Sequence, residues 1–297
     1  NTDDKKHKFL TTISIAKSSY NAKKYTDTIY WSEEAQKSIP KLPLSYNVKD
    51  FYSLLEYRGL AYIQLGEYLN SIKVFKRVLK VGKSVSNKPH LHHAYTNIGI
   101  CKLMLNQHNE ALEDLNSAIN TNIATAITFF YRAKVKYIIS DKESDYGLDD
   151  INKSIDLNPK FLKSYSLKAK IKLKKESYYS AISVINDGLK IDKDDLYLTY
   201  LRGFYSYKNN DYNSAFKDFN KVIKFKNTSQ ASYKLKENQY QGYAHYYRSK
   251  IYQFVWTKLE NRKSLNRIKL RNEDLKEAIK YNNKKAINKG TIKCKAK

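Results

Sequence analysis

Apolar residues recur along this chain at spacings of three and four, in helix-length runs interrupted by short polar stretches. The segment YRGLAYIQLGEYLNSIKVFKRVL (57–79) shows the plan. It reads aromatic, Arg, Gly, then an apolar stripe, a polar turn ending in Tyr, and a second amphipathic run. YLRGFYSYKNNDYNSAFKDFNKVI (200–223) reads the same way, and NIGICKLMLNQHNEALEDLNSAI (97–119) and LKAKIKLKKESYYSAISVINDGL (167–189) follow it. The pattern predicts amphipathic helices in pairs. Only four prolines and nine glycines in 297 residues suit an almost wholly helical chain, since a β-rich fold needs many more turn residues.

The small residue of each first helix marks a period: Ala16, Gly59, Gly99, Ala133, Ala169, Gly203 and Gly242, at intervals of 43, 40, 34, 36, 34 and 39. Twelve residues after most of them stands a second small residue: Thr28, Ser71, Ala111, Ala181 or Ala215. Four further on comes Phe75, Leu115, Ile185 or Phe219, with Ile151 in the fourth unit after two extra turn residues. Two antiparallel helices that cross closely require a small side chain at the contact and large ones in the neighbouring grooves. Pro159, in SIDLNPKFLKSYS, falls where one pair ends and the next begins, as do Pro40, Pro43 and Pro89, because a helix interior needs its backbone N–H groups.

A helix–turn–helix of about 34 residues with this arrangement resembles the tetratricopeptide repeat family. The resemblance covers 9–229 in six repeats, at about 9–42, 52–85, 92–125, 126–161, 162–195 and 196–229. It implies an all-α, right-handed α-solenoid of six to seven such repeats with a C-terminal helical cap. Residues 230–297 are then a partial seventh repeat or capping helices with a basic tail. Ala278 stands 17 residues later than the family spacing would put the second helix after Gly242, so either a long insertion or an extended cap closes the array.

Family members commonly bind extended peptides or partner helices on a concave face lined by the first helices. Carried across, that face includes Phe130, Lys134, Tyr137, Lys163, Lys170, Tyr197, Tyr200, Phe204, Tyr207, Tyr243 and Tyr246. Tyr offers an apolar ring and a hydroxyl at low entropy cost, and the lysines favour a partner carrying carboxylates. The same rings, spaced as on a helix, also suit plain packing. The Lys and Asn four residues apart that chaperone-tail-binding members use have no counterpart here, which argues against that role.

Charge and chemistry add less. The net charge is +26, from 47 lysines but only eight arginines, and residues 219–297 hold 21 Lys/Arg against five Asp/Glu. With Phe225, Tyr240, Tyr243, Tyr246, Tyr247, Tyr252 and Trp256 interleaved, that end could hold a nucleic acid, another polyanion or an anionic membrane surface. Scarce arginine and the usual solvation of lysine-rich faces weigh against this. His90, His92 and His93 do not converge on one side of a helix, SDKESD and DKDD lack a calcium loop's Gly and Glu, and no phosphate loop or nucleophile elbow appears. No catalytic residue, metal or cofactor is expected. Cys101 reads as a small core residue, and Cys294 is too distant in sequence to suggest a disulfide framework. With no apolar leader and no long apolar run, the chain reads as soluble, cytoplasmic or exported with a signal removed. The sequence therefore favours a non-enzymatic scaffold or adaptor holding a protein or peptide segment, with polyanion binding through 219–297 as the alternative.

Overall fold

The computed structural model describes residues 2–38, 48–84, 88–140, 146–175, 177–225, 231–254 and 263–281. Pro40, Pro43, Trp256 and Cys294 lie outside the described residues. Fourteen α-helices and no strand occur among the described residues. They pair as α1 (Thr2–Asn21) with α2 (Tyr25–Ser38), α3 (Val48–Leu65) with α4 (Tyr68–Ser84), α5 (Lys88–Met104) with α6 (His108–Ile119), and α7 (Ala126–Ile139) with α8 (Leu148–Leu157). Then come α9 (Leu162–Lys175) with α10 (Tyr178–Ile191), α11 (Leu196–Lys208) with α12 (Tyr212–Lys224), and α13 (Ala231–Phe254) with α14 (Lys263–Lys280). The helices α1–α8 form one compact unit and α9–α14 a second. The fold class is thus an all-α helical repeat.

The turn within a pair is made the same way four times. Lys23, Gly66, Asn106 and Asn210 each lie seven residues past the small marker, and each has a positive φ between 60° and 79°. The next residue's N–H reaches back five positions, as in Glu67 to the Tyr62 carbonyl, Gln107 to Lys102 and Asp211 to Ser206, all at 2.9 Å. This left-handed cap satisfies carbonyls that would otherwise be orphaned, and Asn or Gly adopts it at least cost. In the fourth pair the turn is longer. Gly147 (φ +104°) lies so close to α7 that a Cβ would meet the Ala133 carbonyl oxygen at 2.9 Å. Pro89 sits in the first turn of α5 rather than between helices, where its missing N–H costs nothing.

Packing follows the small/large pattern. Phe75, Leu115, Ile151, Ile185 and Phe219 are fully buried, and Phe75, Leu115 and Phe219 lie directly against their pair's small residue. A Cβ added to Gly59 would lie 2.6 Å from the Phe75 ring, and one on Gly99 2.7 Å from Leu115. Each large side chain so buried contributes about 1.5–3 kcal/mol. Ser71 also donates to the Gly59 carbonyl at 2.9 Å, so the small second-helix residue can serve as a clasp.

Arginines tie successive pairs together. In the first unit the Arg132 guanidinium forks onto Asp150 of α8 (2.9 and 2.6 Å) and reaches Asn116 of α6 (2.9 Å). In the second, Arg202 does the same with Asp218 of α12 (2.9 and 2.7 Å) and Asn186 of α10 (2.9 Å). Arg248 repeats it with Asp274 of α14 (2.7 and 2.5 Å) and Asn220 of α12 (2.5 Å). Each bridge spends one planar fork on its own pair and a spare N–H on the previous one. Arg58 has Val74 where the others have Asp, and turns instead to Gln36 of α2 at 2.5 Å.

Candidate partner-binding surface

The eleven face residues expected from the sequence divide between the units. Phe130, Lys134 and Tyr137 belong to α7 in the first. Phe130 is buried edge-on to Tyr131 (5.2 Å), the Lys134 ammonium lies 5.9 Å from the Tyr131 ring, and Tyr137 is half-buried. The other eight lie on the first helices of the second unit, where geometry joins most of them.

There, α11 presents Tyr197, Tyr200, Phe204 and Tyr207 at steps of three and four, and α13 meets them with Tyr240, Tyr243 and Tyr247. Tyr200 lies nearly parallel to Phe204 (6.3 Å), Tyr240 (5.6 Å) and Tyr243 (5.8 Å). Tyr197 packs on Tyr240 at 5.1 Å, and Phe204 and Tyr207 on Tyr247 at 5.1 and 5.3 Å. Offset and tilted pairs at these distances are favourable beyond their buried area. Burial drives the Tyr200 hydroxyl far above the usual phenol range and lifts Tyr240 to about 12. Both hydroxyls therefore stay protonated and act as neutral polar groups at any ordinary pH.

Lysines border the rings. Lys170 of α9 lies 6.0 Å from the Tyr197 ring, Lys208 5.8 Å from Phe204, and Lys250 5.9 Å from Tyr246, at the outer limit of cation–π attraction. Lys163, two turns before Lys170 on α9, is exposed. Asp195, at the head of α11, spends its carboxylate on the Leu198 N–H (2.6 Å). The face can thus offer ring edges, phenol hydroxyls and ammonium groups. Tyr246 is buried and edge-on to Tyr247, so it contributes to packing more than to the face. Tyr200 and Phe204 are half-buried in the α11–α13 contact, and truncating both would loosen that packing as well as the surface.

The markers Ala16, Ala133 and Ala169 are fully buried, and Gly59, Gly99 and Gly203 lie within 3.0 Å of a partner side chain once a Cβ is added. Gly242 is displaced. Its Cβ would meet Tyr281 at 2.7 Å, but the Arg248–Asp274 fork shows that Ser249 occupies the place held by Gly203 after Arg202. The last crossing therefore lies two turns further along a helix of 24 residues, against 13 for α11. Two small residues seven apart share one face, so spacing alone did not decide between them. The α13–α14 pair is a seventh hairpin with a long connection. The arginine bridges escaped the sequence reading too, although Arg directly precedes the marker in RG, RA and RG at 58, 132 and 202, and Asp precedes the large residue at 150 and 218.

The histidines part ways. His90 and His93 approach Glu56 at 3.2 and 3.5 Å, while His92 turns inward to the Ala118 carbonyl (3.2 Å) and Thr128 (3.3 Å). Among the described residues no group of three or more His, Cys, Asp or Glu is placed to hold a metal ion, and no helix is long and apolar enough to cross a membrane. Cys101 is buried, and its thiol is pushed up to about 11.

Comparison with known proteins places this geometry. Residues 50–123 match the family model described as tetratricopeptide repeat. No curated protein matches the chain by sequence. Among solved structures, a tetratricopeptide repeat protein from Parabacteroides merdae is similar, with TM-score 0.58 and 14% identity over 92% of this chain and 99% of that one. So is the C-terminal part of a repeat-containing protein from Cytophaga hutchinsonii (TM-score 0.57, 14% identity, 93% and 98%). MamA from Desulfovibrio magneticus gives 0.50 at 18% identity over 63% of this chain and 97% of that one. At such identities the likeness speaks for the fold. Repeats of this kind generally act as scaffolds for contacts with proteins or peptides. The sequence match in one stretch and the fold match over most of the chain agree: residues 50–123 are similar to the tetratricopeptide repeat, and the chain as a whole has the all-α repeat fold.

Proposed function

We propose that this scaffold binds a segment of another protein on the face formed by α9, α11 and α13. The observation that supports the reading is the run of half-buried rings from Tyr197 to Tyr207, joined to Tyr240 and Tyr243 and bordered by Lys170, with Lys163 exposed two turns before it on α9. Rings held by one another lose little freedom on binding, which is what makes Tyr-rich patches effective contact surfaces. The role is binding, with no chemical step.

The test pairs Tyr197→Ser with Lys170→Glu in the full chain. Wild type and variant are each used to retain partners from cells of the source organism, with thermal unfolding measured alongside. The expected result is loss of at least one retained protein with little change in unfolding temperature. Retention of the same proteins in the same amounts by both forms would reject this face as the binding site.

A further inference from the structure

We infer that Arg58 and Arg77 form a binding site for a dianionic phosphate group, where α3 and α4 meet α2. The site belongs to the first unit and does not rest on the ring face. The carrying observation is an arginine bridge that lacks its acid. Arg132, Arg202 and Arg248 each close a fork on an aspartate, whereas the matching position for Arg58 is the buried Val74. The Arg58 side chain is only 6% exposed, yet its Nε has no partner. Its Nη2 donates to the Gln36 amide oxygen at 2.5 Å, and Arg77 Nη1 reaches the same oxygen at 3.4 Å. Among the described residues, Glu33 is the one carboxylate within 4 Å of Arg58, 3.9 Å from Nη1 and itself half exposed. Burial, with Glu33 opposing and Arg77 adding, holds the Arg58 pKa below its usual value.

Two guanidiniums thus meet at one neutral oxygen. An anionic oxygen in its place makes two charge-assisted bonds, each about twice as strong as a neutral one. The half-buried Gln36 side chain turns aside to admit it. Arg77 is exposed, and so is Lys73 one turn before it on α4, so the site opens to water beside a third cation. Phosphate suits this arrangement better than carboxylate. A planar carboxylate matches one guanidinium edge, as Asp150 does for Arg132, whereas guanidiniums arriving from two helices need acceptors in more than one plane. A phosphate group offers tetrahedral oxygens and a charge of about −1.5 to −2 at neutral pH. Glu33 works against the anion and limits its affinity.

Equilibrium dialysis of the full chain against radiolabelled inorganic phosphate tests the inference. Physiological ionic strength screens loose attraction to the net charge of +26. We expect saturable binding at one site, weakened about fivefold or more by Arg77→Gln and tightened about two- to threefold by Glu33→Gln. Val74→Asp should abolish it, because the new carboxylate supplies the internal acid that Asp150 and Asp218 supply elsewhere. Thermal unfolding checks that Val74→Asp folds; Arg77 is exposed, so its variant decides the matter in either case. Phenyl phosphate and acetate then compete with the label. Competition by phenyl phosphate supports a site for phosphate esters, and its failure supports one for the free ion. Acetate competing as well as inorganic phosphate assigns the site to carboxylates and overturns the inference. Phosphate uptake that never saturates, or that ignores both Arg77→Gln and Val74→Asp, overturns it too.

Discussion

The two units build the same hairpins and give their first helices different chemistry. In the first unit, α3 and α5 offer half-buried Leu60, Ile63 and Ile100, with Glu56 held between His90 and His93. In the second, α11 puts aromatic rings (Tyr200, Phe204 and Tyr207) at the corresponding positions, while α9 puts Lys170 where Leu60 and Ile100 stand, with Ser166 and Leu173 on either side of it. The hairpin core constrains the small marker, the large residue opposite it and the left-handed turn; it leaves the first-helix face open. Evolution can rewrite that face without touching the crossing, as is usual where stability is a sum over neighbouring repeats. The second unit uses part of this freedom for packing, because its rings also join α11 to α13.

The contrast can be broken most forcefully at the terminal bridge. Asp274→Ala strands Arg248 and His245 at a buried site, and should destabilise the second unit by about 3 kcal/mol. Hydrogen exchange read by mass spectrometry should show lost protection in α13 and α14. Equal loss across α1–α8 would mean the bridge does not act locally.

Next in size is Gly59→Ala in the first unit. Its methyl would enter the Phe75 ring, at an expected cost of about 1–3 kcal/mol by chemical denaturation. The matching exchange in the second unit, Ala169→Gly, adds no clash and should cost about 1 kcal/mol. Equal costs would argue against ring contact as the cause.

The units should also differ in pH response. Burial lowers the pKa of His92, so below about 6.5 the unfolded chain binds a proton that the folded one resists. First-unit stability contributed by this site is thus present above that range and lost on acidification, and His92→Asn should flatten the loss between pH 7.5 and 5.5. Tyr200 and Tyr240 work the opposite way. Their raised pKa values mean that the unfolded chain ionises first as pH climbs past about 10, so the second unit weakens toward alkali. Absorbance titration at the tyrosinate band should find a late-ionising fraction, above the ordinary phenol range of about 10, that Tyr200→Phe and Tyr240→Phe remove. Simultaneous ionisation would refute the buried placement.

Smallest of all is Lys163→Gln, which should leave stability within about 0.5 kcal/mol because the side chain is exposed. A larger loss would show that the lysine supports the fold, and its role in binding would need rethinking.

Much of the fold was legible because its rules are local. Helix periodicity, a small residue at each crossing and a large one sixteen positions on are written into consecutive residues, and they predicted hairpins down to Phe75 against Gly59. The turn at Asn106 or Asn210 was visible in residue type, though its geometry was not. Pro89 was misplaced by a few residues because a first helical turn and a junction tolerate proline equally. Tyr246 read as a surface residue since helical spacing gives the side of a helix, and what covers that side is supplied by a neighbour.

The sequence by itself determined that the chain folds as repeated helical pairs, because each pair's contacts fall within some forty residues of one another. Only the tertiary structure decided that Ser249 rather than Gly242 marks the last crossing, that Arg132, Arg202 and Arg248 clamp neighbouring pairs, and that α13 turns the rings of α11 inward. Those choices depend on which side chains meet across separate helices. A period along one chain cannot specify them, since several residues on the same face satisfy it equally well.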